Sequence, residues 1–205
     1  VVGNHNYCAT NVEPAHPFRV FAEHVKQHGR VGRNVDELIN GKQPFTVAGL
    51  FTRSDNLEYN RATLRRVLEN CEEYIYWMDP YFLDKVFKML IDVAQNRSWD
   101  VSEVRLLTGK EQTVGEGGRP PQLSFEKYKS ARAKLRERGV SLKVRLTERD
   151  KLPHDRFLIT ANRSINMPPF KNAYDLHNRI SEYTESHATP SLFQEYWQQA
   201  QDWDG

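Results

Sequence analysis

From about residue 46 onward, apolar and polar positions alternate regularly enough to predict strands and helices in turn. Thr46 to Thr52 (TVAGLFT) reads as a strand. Asp55 with Glu58 makes a capping-box pattern opening a helix to about Glu69, with Leu57, Leu64 and Leu68 on one face. Tyr74 to Met78 (YIYWM) is rich in strand-forming residues, and Asp79-Pro80 stops it. Leu83 to Ala94 predicts a helix with Val86, Leu90 and Val93 on one side, and Val104 to Leu107 a second strand. Gly109 to Pro121 holds GEGG and PP and reads as a loop. Ser124 to Arg138 is a charged amphipathic helix closed by Gly139. Leu142 to Leu146 alternates apolar residues with Lys143 and Arg145, a strand with one wetter face, and Phe157 to Thr160 follows as another. Arg179 to Tyr183 suggests one more short strand. Pro190 to Trp203 predicts a closing helix whose Leu192, Phe193, Tyr196, Trp197 and Ala200 pack into the core. Strands alternating with helices of this length predict an α/β fold, with a mainly parallel or mixed sheet flanked by helices.

Residues 1–45 follow a different pattern. They carry His5, Cys8, His16, His24 and His28 among Asn, Gly and Pro, with one helix-like stretch from Pro17 to Gln27. The expectation is an N-terminal extension or the end of a preceding domain, with one domain over 46–205. The Cys and His spacings match no usual zinc pattern, so no metal and no cofactor are expected. Val1 in place of Met suggests a piece of a longer chain, with further domains as partners. Two cysteines make no disulfide framework, and no signal peptide or apolar span is visible, so a cytoplasmic setting is expected. A net charge of +2 does not by itself argue for nucleic-acid binding. The Gly-rich TVGEGGRPP lacks the Lys-Ser/Thr of a phosphate-cradling loop and opens no immediate helix.

Candidate chemistry lies at strand ends. In open α/β sheets, ligands collect beyond the carboxyl ends of the strands, where Asp79-Pro80-Tyr81-Phe82 falls. Asp79 serves there either a site or the cap of the next helix. His154, Asp155 and Arg156 stand together at the start of the apolar Phe157–Ile159 run. They form either an anion-gripping site or a structural ion pair.

YIYWMDPYF, VSEVRLLTG, VSLKVRLTE and LPHDRFLIT, separated by helices, resemble a phospholipase-D-like domain. The likeness is closest to the domain at the C-terminus of MIT-domain proteins and covers roughly residues 57–165. Enzymes of that superfamily use His-x-Lys followed by an Asp and often Gly-Ser-x-Asn. The histidine attacks phosphorus while the cation holds the non-bridging oxygens. The resemblance puts His154 in the nucleophile position and Arg156 in place of the lysine, sharing a strand face, with Asp155 pointing away. Arginine holds phosphate bidentately and keeps its charge. The chain departs from the pattern at Ala161, where the Asp would stand, and Asn162 to Asn166 (NRSIN) is a degenerate echo of the last motif. His177-Asn178-Arg179 lies 23 positions after the first motif, too close for a second lobe yet able to reach the same cleft.

These readings imply a phosphate-recognising module, noncatalytic and acting within a larger protein on nucleic acid or anionic membrane. The alternative is a homodimeric, metal-independent phosphodiesterase with His154 as nucleophile. Arg156, Asn162, Asn166, His177 and Arg179 are the candidate phosphate ligands, with Asp79, Tyr81 and Asp155 beside them. His154 and Arg156 are expected to share one cleft with Asp79 and Tyr81.

Overall fold

Successive strand–helix units build the centre of the sheet, because each helix returns the chain to a parallel strand. In this computed structural model, residues 45–96, 98–115, 120–175 and 180–204 are described. The second of the chain's two units, Val47–Gly205, holds every element below. Helix α1 (Leu57–Glu69) leads into β1 (Glu73–Met78), α2 (Lys85–Ala94), β2 (Val101–Gly109), α3 (Glu111–Val114), α4 (Phe125–Arg136) and β3 (Ser141–Thr147). Strands β1, β2 and β3 are parallel neighbours. The chain then reverses. β4 (Phe157–Ile159) pairs antiparallel with β1, and β5 (Ser164–Asn166) with β4. After α5 (Phe170–Tyr174), β6 (Thr184–Glu185) pairs with β5. α6 (Pro190–Gln199) precedes β7 (Gln201–Asp202), which pairs antiparallel with β3. The order is β6-β5-β4-β1-β2-β3-β7, a mixed sheet flanked by helices.

Alternation along β1 divides the core. Met78 joins Leu107, Phe157 and Ile159 under Phe193 and Trp197 of α6, with Tyr74 and Tyr76 packed alongside. Ile75 and Trp77, both fully buried, face the other side, where Trp77 meets Phe82 and Phe170 edge-on. α4 packs there against α2 and β3.

Four sequence expectations need correction. Thr46–Thr52 is a turn and a single bridge: Gly49, at φ +77°, lets Leu50 N–H donate back to Val47 O, and Phe51 bridges Glu182. The helix cap is Asn56, whose side chain accepts from Tyr59 N–H, rather than Asp55. The closing helix ends at Gln199. Ala200 is extended, and the next residues pair with β3, with Asp202 gripping Arg145. The short strand after α5 is Thr184–Glu185, set by pairing with β5, rather than Arg179–Tyr183, part of which lies outside the described residues. The readings on residues 1–44 also lie outside them.

Candidate functional site

Asp79 ends β1 and is fully buried. Its Oδ1 accepts from Tyr81 N–H (2.9 Å) and its Oδ2 from Phe170 N–H (2.6 Å), tying the strand end to the start of α5. Its own N–H donates to Leu107 O of β2 (3.1 Å). Burial pushes the Asp79 carboxyl above the ordinary range, against the pull of Phe170 N–H, the Arg156 charge and Tyr81 N–H. Asp79 therefore fixes three segments together at the carboxyl end of the sheet, and does not cap α2.

Arg156 reaches this carboxylate. Its Nε lies 3.4 Å from Asp79 Oδ1, an ion pair without hydrogen-bond alignment. One terminal nitrogen is 3.4 Å from His154 O, and the guanidinium carbon stands 5.5 Å from the Tyr81 ring centroid. Arg149 approaches the same ring at 5.9 Å. Asp79, Tyr81 and Arg156 thus come together. Asp79 does not, however, share a cleft with His154 and Arg156 as expected: fully buried, it lines neither of the two clefts beside it and reaches them through Arg156. One, about 620 Å³, is lined by His154, Arg156, Arg149, Tyr81, Glu111 and Glu148, among others. The second, about 710 Å³, shares Arg156, Arg149, Tyr81 and Glu111 and adds Gln112, Lys171 and Asn172.

The His-Asp-Arg triplet does not sit on a strand. Pairing of β4 with β1 starts at Phe157, so His154, Asp155 and Arg156 lack the expected strand alternation. His154 is exposed, and among the described residues its imidazole makes no hydrogen bond. Asp155 is exposed and lines neither cleft. Asn162 lies beyond β4, at the turn into β5, where its Nδ2 donates to Asn70 O and its Oδ1 accepts from the Thr160 hydroxyl. Asn166 donates to Thr184 Oγ1 at the sheet edge. Neither lines either of these two clefts, and His177 and Arg179 lie outside the described residues.

Sequence reasoning missed Arg149, Glu111 and Gly109. Each follows or ends a parallel strand at its carboxyl end, so the rule that singled out Asp79 could have found them. Glu111 Oε1 accepts from Arg149 N–H (3.2 Å), while Oε2 is buried without a partner among the described residues. A Cβ on Gly109 would stand 2.7 Å from that Oε2 and 3.1 Å from Pro80 O. The missing side chain makes room for the carboxylate. On the cleft rim, hydrogen bonds from Lys151 and Lys110 hold the Glu148 carboxyl well down, at about 2. Among the described residues, no group of three His, Cys, Asp or Glu could hold a metal, and no helix is long and apolar enough to cross a membrane.

No family model and no curated protein matches the chain. Among solved structures, the chain is similar to TrmBL2, an archaeal chromatin protein described as showing a novel mode of DNA binding. Identity is 16%, over 93% of this chain and 72% of that one, with a TM-score of 0.44. At that level the likeness assigns nothing to this chain.

Proposed function

We propose that this is a phospholipase-D-like domain that recognises phosphate without turning it over, as a binding module of a larger protein. The observation that carries the reading is the placement of Arg156. Its Nε is held against buried Asp79 while the guanidinium lines both clefts, next to His154 and Arg149. A guanidinium anchored on one edge is preorganised to present another to an anion, which lowers the entropy cost of binding. Turnover is disfavoured by the exposed His154. A nucleophilic imidazole needs a group to orient it, and among the described residues none bonds to its ring. Ala161 stands where the superfamily pattern has its aspartate, and it is exposed.

Titration calorimetry with inorganic pyrophosphate, a short oligonucleotide and a soluble phosphoinositide headgroup tests the proposal. Arg156→Lys should weaken anion binding about tenfold, because an ammonium cannot reproduce the two-pronged contact. Unaltered titrations with a lowered melting temperature would make Arg156 a structural partner of Asp79 alone. Release of p-nitrophenol from bis(p-nitrophenyl) phosphate that disappears in His154→Ala and ignores EDTA would replace binding with the phosphodiesterase reading.

A further inference from the structure

The opposite end of the sheet carries a different kind of charge. Helix α4 holds five cations and one carboxylate in its 12 residues. Its apolar stripe, Tyr128, Ala131 and Leu135, is buried. Lys129, Arg132 and Arg136 follow one another at helical spacing along one flank, all exposed. Lys129 pairs with Glu126 and Lys127 with Asp84, whereas among the described residues Arg132 and Arg136 pair with no carboxylate. These two arginines line a cleft of about 330 Å³ with Gly139, Val140, Ser141 and Leu142. The turn there is built on Gly139 at φ +80°, a conformation that suits glycine, and a Cβ at Gly139 would meet nothing within 4 Å. The concavity therefore stays open. Ser141 begins β3, while the Asp79–Arg156 site sits beyond the carboxyl ends of the strands. The length of β3 separates them, about 20 Å at roughly 3.3 Å per residue.

We propose that Arg132 and Arg136, with Ser141 in the same cleft, form a second anion-binding surface that takes the phosphodiester backbone of nucleic acid. Cations at a helix C-terminus complement its dipole, which accounts for Arg136. It does not account for Arg132, a turn earlier, nor for both arginines lining one cleft. Their positions, four residues apart, put them about 6 Å apart along the helix axis. Each can grip a separate phosphate of one strand in a fork geometry. The surface does not suit a bilayer. An interfacial helix turns its apolar stripe outward, whereas that of α4 is buried. Among the described residues, the exposed large apolar side chains are Phe51, Val114 and Ile180, none of them on α4 or on Gly139–Leu142. The inference does not rest on the reading of the Arg156 cleft.

Fluorescence anisotropy of the full chain with a labelled 20-nucleotide strand and its duplex, from low to moderate salt, tests it. R132E/R136E should weaken binding at least about tenfold and flatten the plot of log affinity against log salt by about 1.4 to 1.8, two lost phosphate contacts at roughly 0.7 to 0.9 each. R132K/R136K should keep most of the slope, because charge is retained. R132Q/R136Q gives the same reading as the reversal if the latter lowers the melting temperature. Arg156→Lys should leave this slope component in place. The proposal is overturned if the wild-type chain does not bind either oligonucleotide, or if the charge reversal changes neither affinity nor slope. It is also overturned if the chain sediments with phosphatidylserine vesicles through these arginines while ignoring the oligonucleotide.

Discussion

The two ends of the parallel strands solve the placement of charge in opposite ways. At the carboxyl end, several charged groups are already paired: Arg156 with Asp79, Glu148 with Lys110 and Lys151, and Lys85 with Asp175. At the amino end, Arg132 and Arg136 stand exposed, with no carboxylate partner among the described residues. Paired, partly buried charge gives a fixed local geometry that tolerates salt, whereas unpaired surface charge acts at range and is screened. The first end is suited to a single anion held in one orientation, and the second to an extended polyanion.

The largest expected break in this comparison is at Asp79. Asp79→Ala leaves the Tyr81 and Phe170 N–H groups without their acceptor and Arg156 without its counter-charge. Losing one partner of a buried pair costs about 3–5 kcal/mol, so urea unfolding should show a loss of that order. The same measurement on Arg136→Ala should stay within about 0.5 kcal/mol, as for surface changes generally. Equal losses at the two ends would end the distinction. The pH dependence has a definite sign. Burial raises the Asp79 carboxyl above its unfolded value, near 3.9, so the native state keeps the proton to higher pH. Stability from this group is therefore lost as pH rises from the unfolded value through the raised native one. Asp79→Asn should flatten that slope, and an unchanged slope would contradict it.

Gly109→Ala tests the carboxyl end more gently. The added methyl meets Glu111 Oε2 at 2.7 Å and Pro80 O at 3.1 Å, so either the carboxylate or the strand end must shift. Overpacking of this kind costs about 1–3 kcal/mol. Glu111→Ala in the same chain should recover part of it, because the tighter of the two contacts is removed. A melting temperature unmoved by Gly109→Ala would mean that Glu111 swings aside freely, and that the cleft wall is softer than its packing implies.

The α/β alternation was legible because its signals are local: Leu64 and Leu68 at helical spacing, and a β-forming run in YIYWM. What decided the rest was tertiary. TVAGLFT has strand composition, yet Gly49 turns it and only Phe51 finds a bridging partner. The last residues before Asp202 carry a helical stripe, but pairing with β3 takes the chain at Gln201. The site followed the same rule. That Asp79 and Tyr81 belong with Arg156 could be argued from strand ends alone. That Arg156 uses its Nε edge on Asp79, 77 positions away in the chain, could not. The expected alternation of His154 and Arg156 failed because both precede the strand, which begins at Phe157.

The smallest effect is the sharpest probe of how charge is held. Glu148 is partly exposed, with 42% of its side-chain surface open, and hydrogen bonds from Lys151 (2.7 Å) and Lys110 (2.9 Å) hold its carboxyl at about 2. A depressed carboxyl stabilises the fold above its unfolded value and loses that contribution as pH falls through the native one. The loss should therefore be complete only near pH 2. A carboxyl-carbon NMR titration at low ionic strength should place its midpoint well under that of an ordinary glutamate, near 4.3. Raising the salt to about 1 M shortens the screening length to about 3 Å and should move the midpoint part of the way back. The change in melting temperature for Glu148→Gln should be close to the error of measurement, since exposed pairs contribute little. A midpoint near the ordinary value at low salt would show the two lysines to be only near neighbours. The carboxyl-end rim would then carry unpaired cations like those of Arg132 and Arg136, and both ends of the sheet would belong to one basic surface.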